Sequence, residues 1–310
     1  MAKAKNIKEI KNLNLTWLHL NNNSKQEIAY LRNNFKFHPL DLEDCLSPAQ
    51  RPKVDEYDDY LFLILTFPYY NHEAKEVLSS EVDFFIGDSY LVTVSDGNLQ
   101  PLNNFFEQCQ HNDLFRHRYL SHDPIFLLAE ILNKIQLSLY PMLDHIRFDI
   151  GEVQKVIFTG YERKMVKEIL MIKQNIINFR ITTEAHKTIL RKLLDKNNKF
   201  FIANSSLTYL NNNVEQAKDL WDNLESLREN IEALHQTNES LISFRLNDIM
   251  KVLTMISLIL LPINLIASIF GMNTPIMPFV NHPQGFWIIL GLMGLLMISF
   301  FFFFKKKKWM

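Results

Sequence analysis

Between Val252 and Phe304 the sequence has no aspartate, glutamate, lysine or arginine, although the 310-residue chain carries 33 basic and 34 acidic side chains. That gap excludes a chain lying wholly in water. Cysteine is nearly absent. Cys45 and Cys109 stand alone without a CxxC spacing, which excludes a disulfide framework or a thiolate metal centre and predicts a reducing compartment. Proline is missing from 142 to 261, where only Gly151 and Gly160 interrupt, so that stretch is predicted to be helical. No Walker sequence, GxGxxG, HExxH or nucleophile elbow occurs, and the ten histidines show no ligand spacing. An enzyme is not expected.

The uncharged stretch holds two apolar runs of nineteen residues, 252–270 and 286–304. As helices each spans about 28 Å, close to the hydrocarbon thickness of a bilayer. The segment 271–285 between them carries three prolines and two glycines and is predicted to turn. Arg245 and Lys251 flank the first run, Lys305, Lys306, Lys307 and Lys308 follow the second, and the connection has no basic residue but His282. Under the positive-inside rule both ends lie in the cytoplasm and the short loop faces outside. The lysine-rich start, Met1 to Lys11, has no apolar core of a signal peptide.

Along the first run, alternating steps of three and four pick out Asn247, Met250, Thr254, Ser257, Leu261, Asn264, Ser268 and Gly271. Most of that stripe is polar or small, and an amide such as Asn264 facing lipid is costly. The stripe therefore meets protein or water. Two spans of one chain cannot enclose a water-filled path, so the choices are close packing through small residues or an oligomeric pore with one first span per subunit. The pore is the favoured reading. Pro262, in mid-span, frees a backbone carbonyl and predicts a mild kink or a gating point.

Before residue 123 the texture is that of an α/β domain. Strands are predicted at Leu15–Leu20, Tyr60–Phe67, Glu81–Ile86 and Tyr90–Ser95, with helical patterns near Lys25–Phe35 and Leu102–Cys109. Further on, helices are predicted at Asp123–Ile157, at Tyr161–Leu194 and from Ser206 to Phe270 without a stop signal, the last a rod of roughly 97 Å. The expected domains are 1–122 (α/β), 123–250 (long helices and stalk) and 251–310 (two transmembrane helices with the outer loop 271–285). Without lysines 305–308, 29 basic residues face 34 acidic ones. A mildly acidic polar part suits cations and disfavours nucleic acid.

Gly271-Met272-Asn273, at the outer end of the first span and in a chain that closes on Lys305–Lys308 followed by Trp309-Met310, resembles the motif of the CorA family of divalent-cation transporters. The run from Asn247 to Thr254 is similar to the start of that family's pore helix. So are His38-Pro39-Leu40-Asp41-Leu42-Glu43-Asp44 and Arg51-Pro52-Lys53-Val54-Asp55.

The resemblance implies a funnel-shaped homopentamer in the bacterial inner membrane, first spans lining the pore, carrying Mg²⁺ inward with Co²⁺ and Ni²⁺ as further passengers and no organic cofactor. It implies that Gly271, Met272 and Asn273 form the selectivity filter, which reads a hydrated ion through neutral oxygens because Mg²⁺ sheds water reluctantly. It places Asn247 as a polar ring, Met250, Leu253 and Leu261 as apolar constrictions, and Lys251 with Lys305–Lys308 as a basic collar. Glu43 and Asp44 match one side of a regulatory divalent-ion site whose partner aligns with Asn212, an amide where a carboxylate is expected, which weakens binding of a hard cation. In the outer loop Pro275 and Phe279 stand where acidic residues are expected. Alternatives are a Zn²⁺ transporter of the ZntB-like branch and a non-conducting membrane-tethered scaffold or sensor.

Overall fold

The computed structural model describes residues 7–12, 15–47, 50–160, 162–195, 204–272, 278 and 282–307. The chain divides into two compact units, Met1–His235 and Gln236–Met310.

The first unit is built on a six-stranded sheet: β1 (Ile7–Asn12), β2 (Leu15–Leu20), β3 (Lys53–Glu56), β4 (Tyr60–Asn71), β5 (Glu76–Gly87) and β6 (Tyr90–Ser95). Their spatial order is β1-β2-β6-β5-β4-β3, and only the β2–β6 pair is parallel. The long β4–β5 hairpin turns where Asn71 Oδ1 accepts from the backbone of Glu73 and Ala74 and Lys75 takes a φ of 56°. The central strands are apolar on both faces, as a sheet covered on both sides requires. One face carries Leu61, Leu63, Phe84, Ile86 and Trp17. The other carries Phe62, Ile64, Phe85 and Val92, packed with α1 (Lys25–Asn34) and α2 (Pro39–Asp44).

Helices α3 (Gln100–His111) and α4 (Asp113–Leu120) lead to α5 (Pro124–Val156), which starts where Asp123 accepts from the Phe126 amide at 2.8 Å and ends at the cap residue Ile157. The predicted 123–157 helix is thus present with its caps. The single helix predicted over 161–194 is two: α6 (Glu162–Thr183) and α7 (His186–Asp195), with a turn at Glu184 and Ala185. The cause is tertiary. Thr66 Oγ1 donates to the Thr182 carbonyl at 2.9 Å, and the His186 ring donates from Nε2 to the Thr66 carbonyl at 2.6 Å. A carbonyl engaged by another element and the β-branched run Ile181-Thr182-Thr183 both weaken helix continuation there.

The last helices are α8 (Asn204–Phe270), 67 residues with Pro262 inside, and α9 (Gly285–Lys306). Within the first unit α8 joins the core through Leu210, Val214 and Ala217. It is clamped to α5 by two buried amides: Gln136 Nε2 donates to the Asn213 carbonyl at 3.1 Å, and Asn213 Nδ2 to the Ala129 carbonyl at 2.9 Å.

Candidate ion pathway and cytoplasmic ion site

In the second unit, α8 and α9 each include a segment long and apolar enough to cross a membrane, with mean hydropathy of 2.3 and 2.4 in the most apolar window. Each helix has one covered face. On α8 Met255 is buried, with Ile259, Ile263, Ile266 and Phe270 half-buried. On α9 Gly285 and Phe304 are buried, and Ile289, Met293, Leu296 and Phe300 half-buried. Steps of three and four are the spacing of a face covered by a neighbouring helix.

The predicted stripe lies off that covered face. Asn247, Met250, Leu253, Thr254, Ser257, Leu261, Asn264, Ser268, Gly271 and Met272 are all exposed. Thr254 and Ser257 turn their hydroxyls back to the carbonyls of Met250 and Leu253, at 2.7 and 3.0 Å, which satisfies the donors and leaves oxygen lone pairs outward. Asn264 stays an exposed amide among apolar neighbours. At the outer end, the Gly271 amide closes the helix on the Ala267 carbonyl at 2.8 Å and the Met272 amide bonds to the Ile269 carbonyl at 3.2 Å. A Cβ at Gly271 would lie 3.1 Å from the Ala267 carbonyl oxygen, so the close turn favours glycine. Asn273, Pro275, Phe279 and Lys308 lie outside the described residues.

The expected collar is represented by Lys251, 3.8 Å from Asp248 on the same helix, and by exposed Lys305, Lys306 and Lys307 at the end of α9.

In the first unit the residues expected to bind a regulatory ion sit on two elements. Glu43 and Asp44 end the short helix α2, and Asn212 is exposed on α8. Helix α2 starts on the His38 ring, which accepts from the Leu40 amide, and Pro39 supplies a preset φ. Buried Asp41 anchors it by accepting from Tyr57 at 3.0 Å and Tyr60 at 2.7 Å. Burial raises the Asp41 pKa and those hydroxyls oppose the rise.

Lys53 belongs to the run Arg51-Pro52-Lys53-Val54-Asp55, and no local pattern in the sequence assigns it a role. Its Nζ lies 2.9 Å from Asp44 Oδ2 and 2.7 Å from Asp55 Oδ2. Burial works to lower its pKa, and the hydrogen bonds to Asp44 and Asp55 outweigh that pull, so the ammonium is held charged. Among the described residues no three His, Cys, Asp or Glu side chains are grouped to bind a metal directly. Asp44 thus has a protein cation as its partner.

An α/β unit followed by a long helix whose last part is apolar and carries an exposed polar stripe, and then by a second apolar helix, defines a two-span membrane protein. The family profile described as "CorA-like Mg2+ transporter protein" matches residues 12–306, and the chain belongs to the CorA family. Two relatives are both called "Cobalt/magnesium transport protein CorA". That of Thermotoga maritima is 25% identical over 297 residues, 95% of this chain and 83% of the relative. That of Methanocaldococcus jannaschii is 24% identical over 300 residues, 95% and 91% of the two chains. The complete structure of the M. jannaschii CorA magnesium transporter superposes with a TM-score of 0.83 at 22% identity, covering 97% of this chain and 93% of that one. That superposition is a likeness of fold, and it extends over both units.

Proposed function

We propose that the chain is the subunit of a homopentameric inner-membrane channel that conducts Mg²⁺, and Co²⁺ beside it, into the cytoplasm down the electrochemical gradient. The relatives named for cobalt and magnesium transport support the ion class. What carries the pore reading is the exposed stripe from Asn247 to Ser268, set apart from the covered face of α8. Five copies around an axis give that stripe a partner that neither lipid nor α9 supplies.

In this reading Gly271, Met272 and Asn273 receive the hydrated ion at the outer mouth. Thr254, Ser257, Asn264 and Ser268 offer hydroxyl and amide oxygens along the path, and Met250, Leu253 and Leu261 form rings that close it by dewetting. Asn247 is a polar ring at the cytoplasmic end, with Lys251 and the terminal lysines around it. No carboxylate lines the stripe, so an ion that keeps its water is passed on rather than trapped. Neither histidine nor cysteine lines it, which favours Mg²⁺ over Zn²⁺. No covalent chemistry is required.

Liposomes containing the protein and a Mg²⁺-sensitive dye test this directly. Influx is expected, and Asn273→Ala should abolish most of it. Absence of influx by the unmodified protein across varied internal Mg²⁺ would sink the channel reading.

A further inference from the structure

The second unit carries its charge at one end. Its lysine and arginine side chains are six, Arg245, Lys251 and Lys305–Lys308, against the two acidic side chains Glu239 and Asp248, and none acidic follows Asp248 in the chain. The two spans follow one another through the short segment 271–285, so Lys251 at the start of the first and Lys305–Lys307 at the end of the second lie on the same side of the bilayer.

Asp248 stands 3.8 Å from Lys251. Lys305, Lys306 and Lys307 are exposed and, among the described residues, meet no acidic side chain. The carbonyl end of α9 attracts cations, but a helix C-terminus carries only about half a negative charge. Three successive ammonium groups exceed what it offsets.

A second observation says what covers them. On the same helix Phe304 is buried, whereas Phe301 is exposed and Phe302 and Phe303 are 62% and 55% exposed. Lys305 lies three and four residues beyond Phe302 and Phe301, Lys306 beyond Phe303 and Phe302, and Lys307 four beyond Phe303. Residues three and four apart share a helix face, so each ammonium has an outward ring one turn above it, on the bilayer side. A free anion in water meets the lysines and leaves the rings uncovered. So does an acidic protein segment, which cannot follow the rings into hydrocarbon. A phospholipid supplies an anionic phosphate and, directly above it, an acyl chain.

We propose that Phe301–Phe303 and Lys305–Lys307 bind an anionic phospholipid of the cytoplasmic leaflet, of the phosphatidylglycerol class, with its phosphate at the ammonium groups and an acyl chain along the rings. Lys251 adds to the attracting field. A zwitterionic headgroup brings its own ammonium and gains less. The site needs only the two spans of one chain, so it does not rest on the transport reading. On that reading, the phosphates also offset the positive field that five such lysine clusters set around the exit of a cation path.

The test uses the full-length protein in phosphatidylcholine vesicles with a trace of spin-labelled phosphatidylglycerol or spin-labelled phosphatidylcholine. Electron paramagnetic resonance reads the motionally restricted fraction of each. Phosphatidylglycerol is expected to be preferred by about threefold or more, because a lysine near an anionic headgroup is worth about fivefold and that gain is averaged with lipids that do not reach the lysines. The preference should vanish when Lys305→Gln, Lys306→Gln and Lys307→Gln are combined, and persist when the same three are changed to Arg. Inorganic phosphate added at matched ionic strength should leave it in place; displacement by phosphate would assign the lysines to a free anion and overturn the lipid. Equal restriction of both lipids by the unmodified protein, or a preference undiminished in the Gln variant, would also overturn the proposal. If the Gln variant fails to assemble, judged by size-exclusion profile, KCl decides: the preference must fall between about 50 mM and about 500 mM, and a preference indifferent to salt overturns it. Dye influx into the same vesicles reports separately on conduction, so failure of the lipid site is distinguishable from failure of the channel reading.

Discussion

Lys53 Nζ stands 2.9 Å from Asp44 Oδ2, so the carboxylate that matches a regulatory ion ligand is already paired with a cation of its own chain. The same ammonium lies 5.2 Å from the centroid of the Phe62 ring and 2.7 Å from Asp55. A divalent ion arriving at Asp44 has to displace it. Together with the amide at Asn212, this predicts weak closure of the pore by internal Mg²⁺ in the unmodified protein.

Lys53→Gln should therefore raise the sensitivity of influx to internal Mg²⁺, because Asp44 loses its competitor. The measurement is dye influx into liposomes preloaded with graded Mg²⁺. An unchanged dependence would show that Asp44 does not take part. Because the pKa of Lys53 is raised, the contribution of its ion pairs is fully present below the ordinary lysine value of 10.5 and is lost only as pH rises through the higher folded value. Influx should show no pH dependence from this pair near neutrality.

Two buried histidines set an acid limit on the α/β unit. His19, bonded to Thr93 and Asn103, is pushed down to about 4, burial outweighing the Asn103 bond. His186 is also pushed down to about 4 by burial, against its bond to the Thr66 carbonyl. Both rings are neutral when folded, so the unfolded chain takes up protons first as pH falls below about 6.5. Stability is full above that value and should fall between 6.5 and 4, by up to about 3 kcal/mol for each ring. Hydrogen exchange of β2 and β4 amides at graded pH, corrected for intrinsic exchange, checks this. His186→Gln should flatten part of the slope.

Trp17 is fully buried, donates from Nε1 to Thr93 Oγ1 at 3.1 Å and meets the Phe106 ring edge-on at 4.8 Å. Trp17→Ala should cost about 3–5 kcal/mol, read as faster exchange across β2 and β6. A cost under about 1 kcal/mol would mean that the site collapses around the missing ring.

Along the stripe, Leu253→Ser should raise resting Mg²⁺ influx several-fold by wetting an apolar ring, whereas Asn264→Leu should lower it without changing assembly. Liposome influx with a size-exclusion control separates the two effects. Equal influx in all three proteins would remove this face of α8 from the ion path.

Much of the fold was legible because its signals are local. The β-branched and aromatic runs Leu15–Leu20 and Tyr90–Ser95 mark strands whose limits match the structure, and the two apolar runs fall in the last part of α8 and in α9. Two edge strands, Ile7–Asn12 and Lys53–Glu56, carry Lys and Glu on short segments and give little apolar signal, as edge strands do. The α6–α7 break was not legible because Thr66, a strand residue far along the chain, causes it. The stripe on α8 could be read from spacing alone. The partner of Asp44 could not, since ion pairs depend on which elements lie side by side.

By itself the sequence determined the uncharged two-helix segment, the polar stripe within it and the family resemblance, because hydrophobic length, helical period and a short motif are properties of neighbouring residues. Only the tertiary structure decided that the stripe lies off the covered face of α8 and that Lys53 occupies Asp44. Those facts depend on the sheet order β1-β2-β6-β5-β4-β3 and on how helices cover it. Long-range packing sets the solvation of each charge, and no local pattern encodes it.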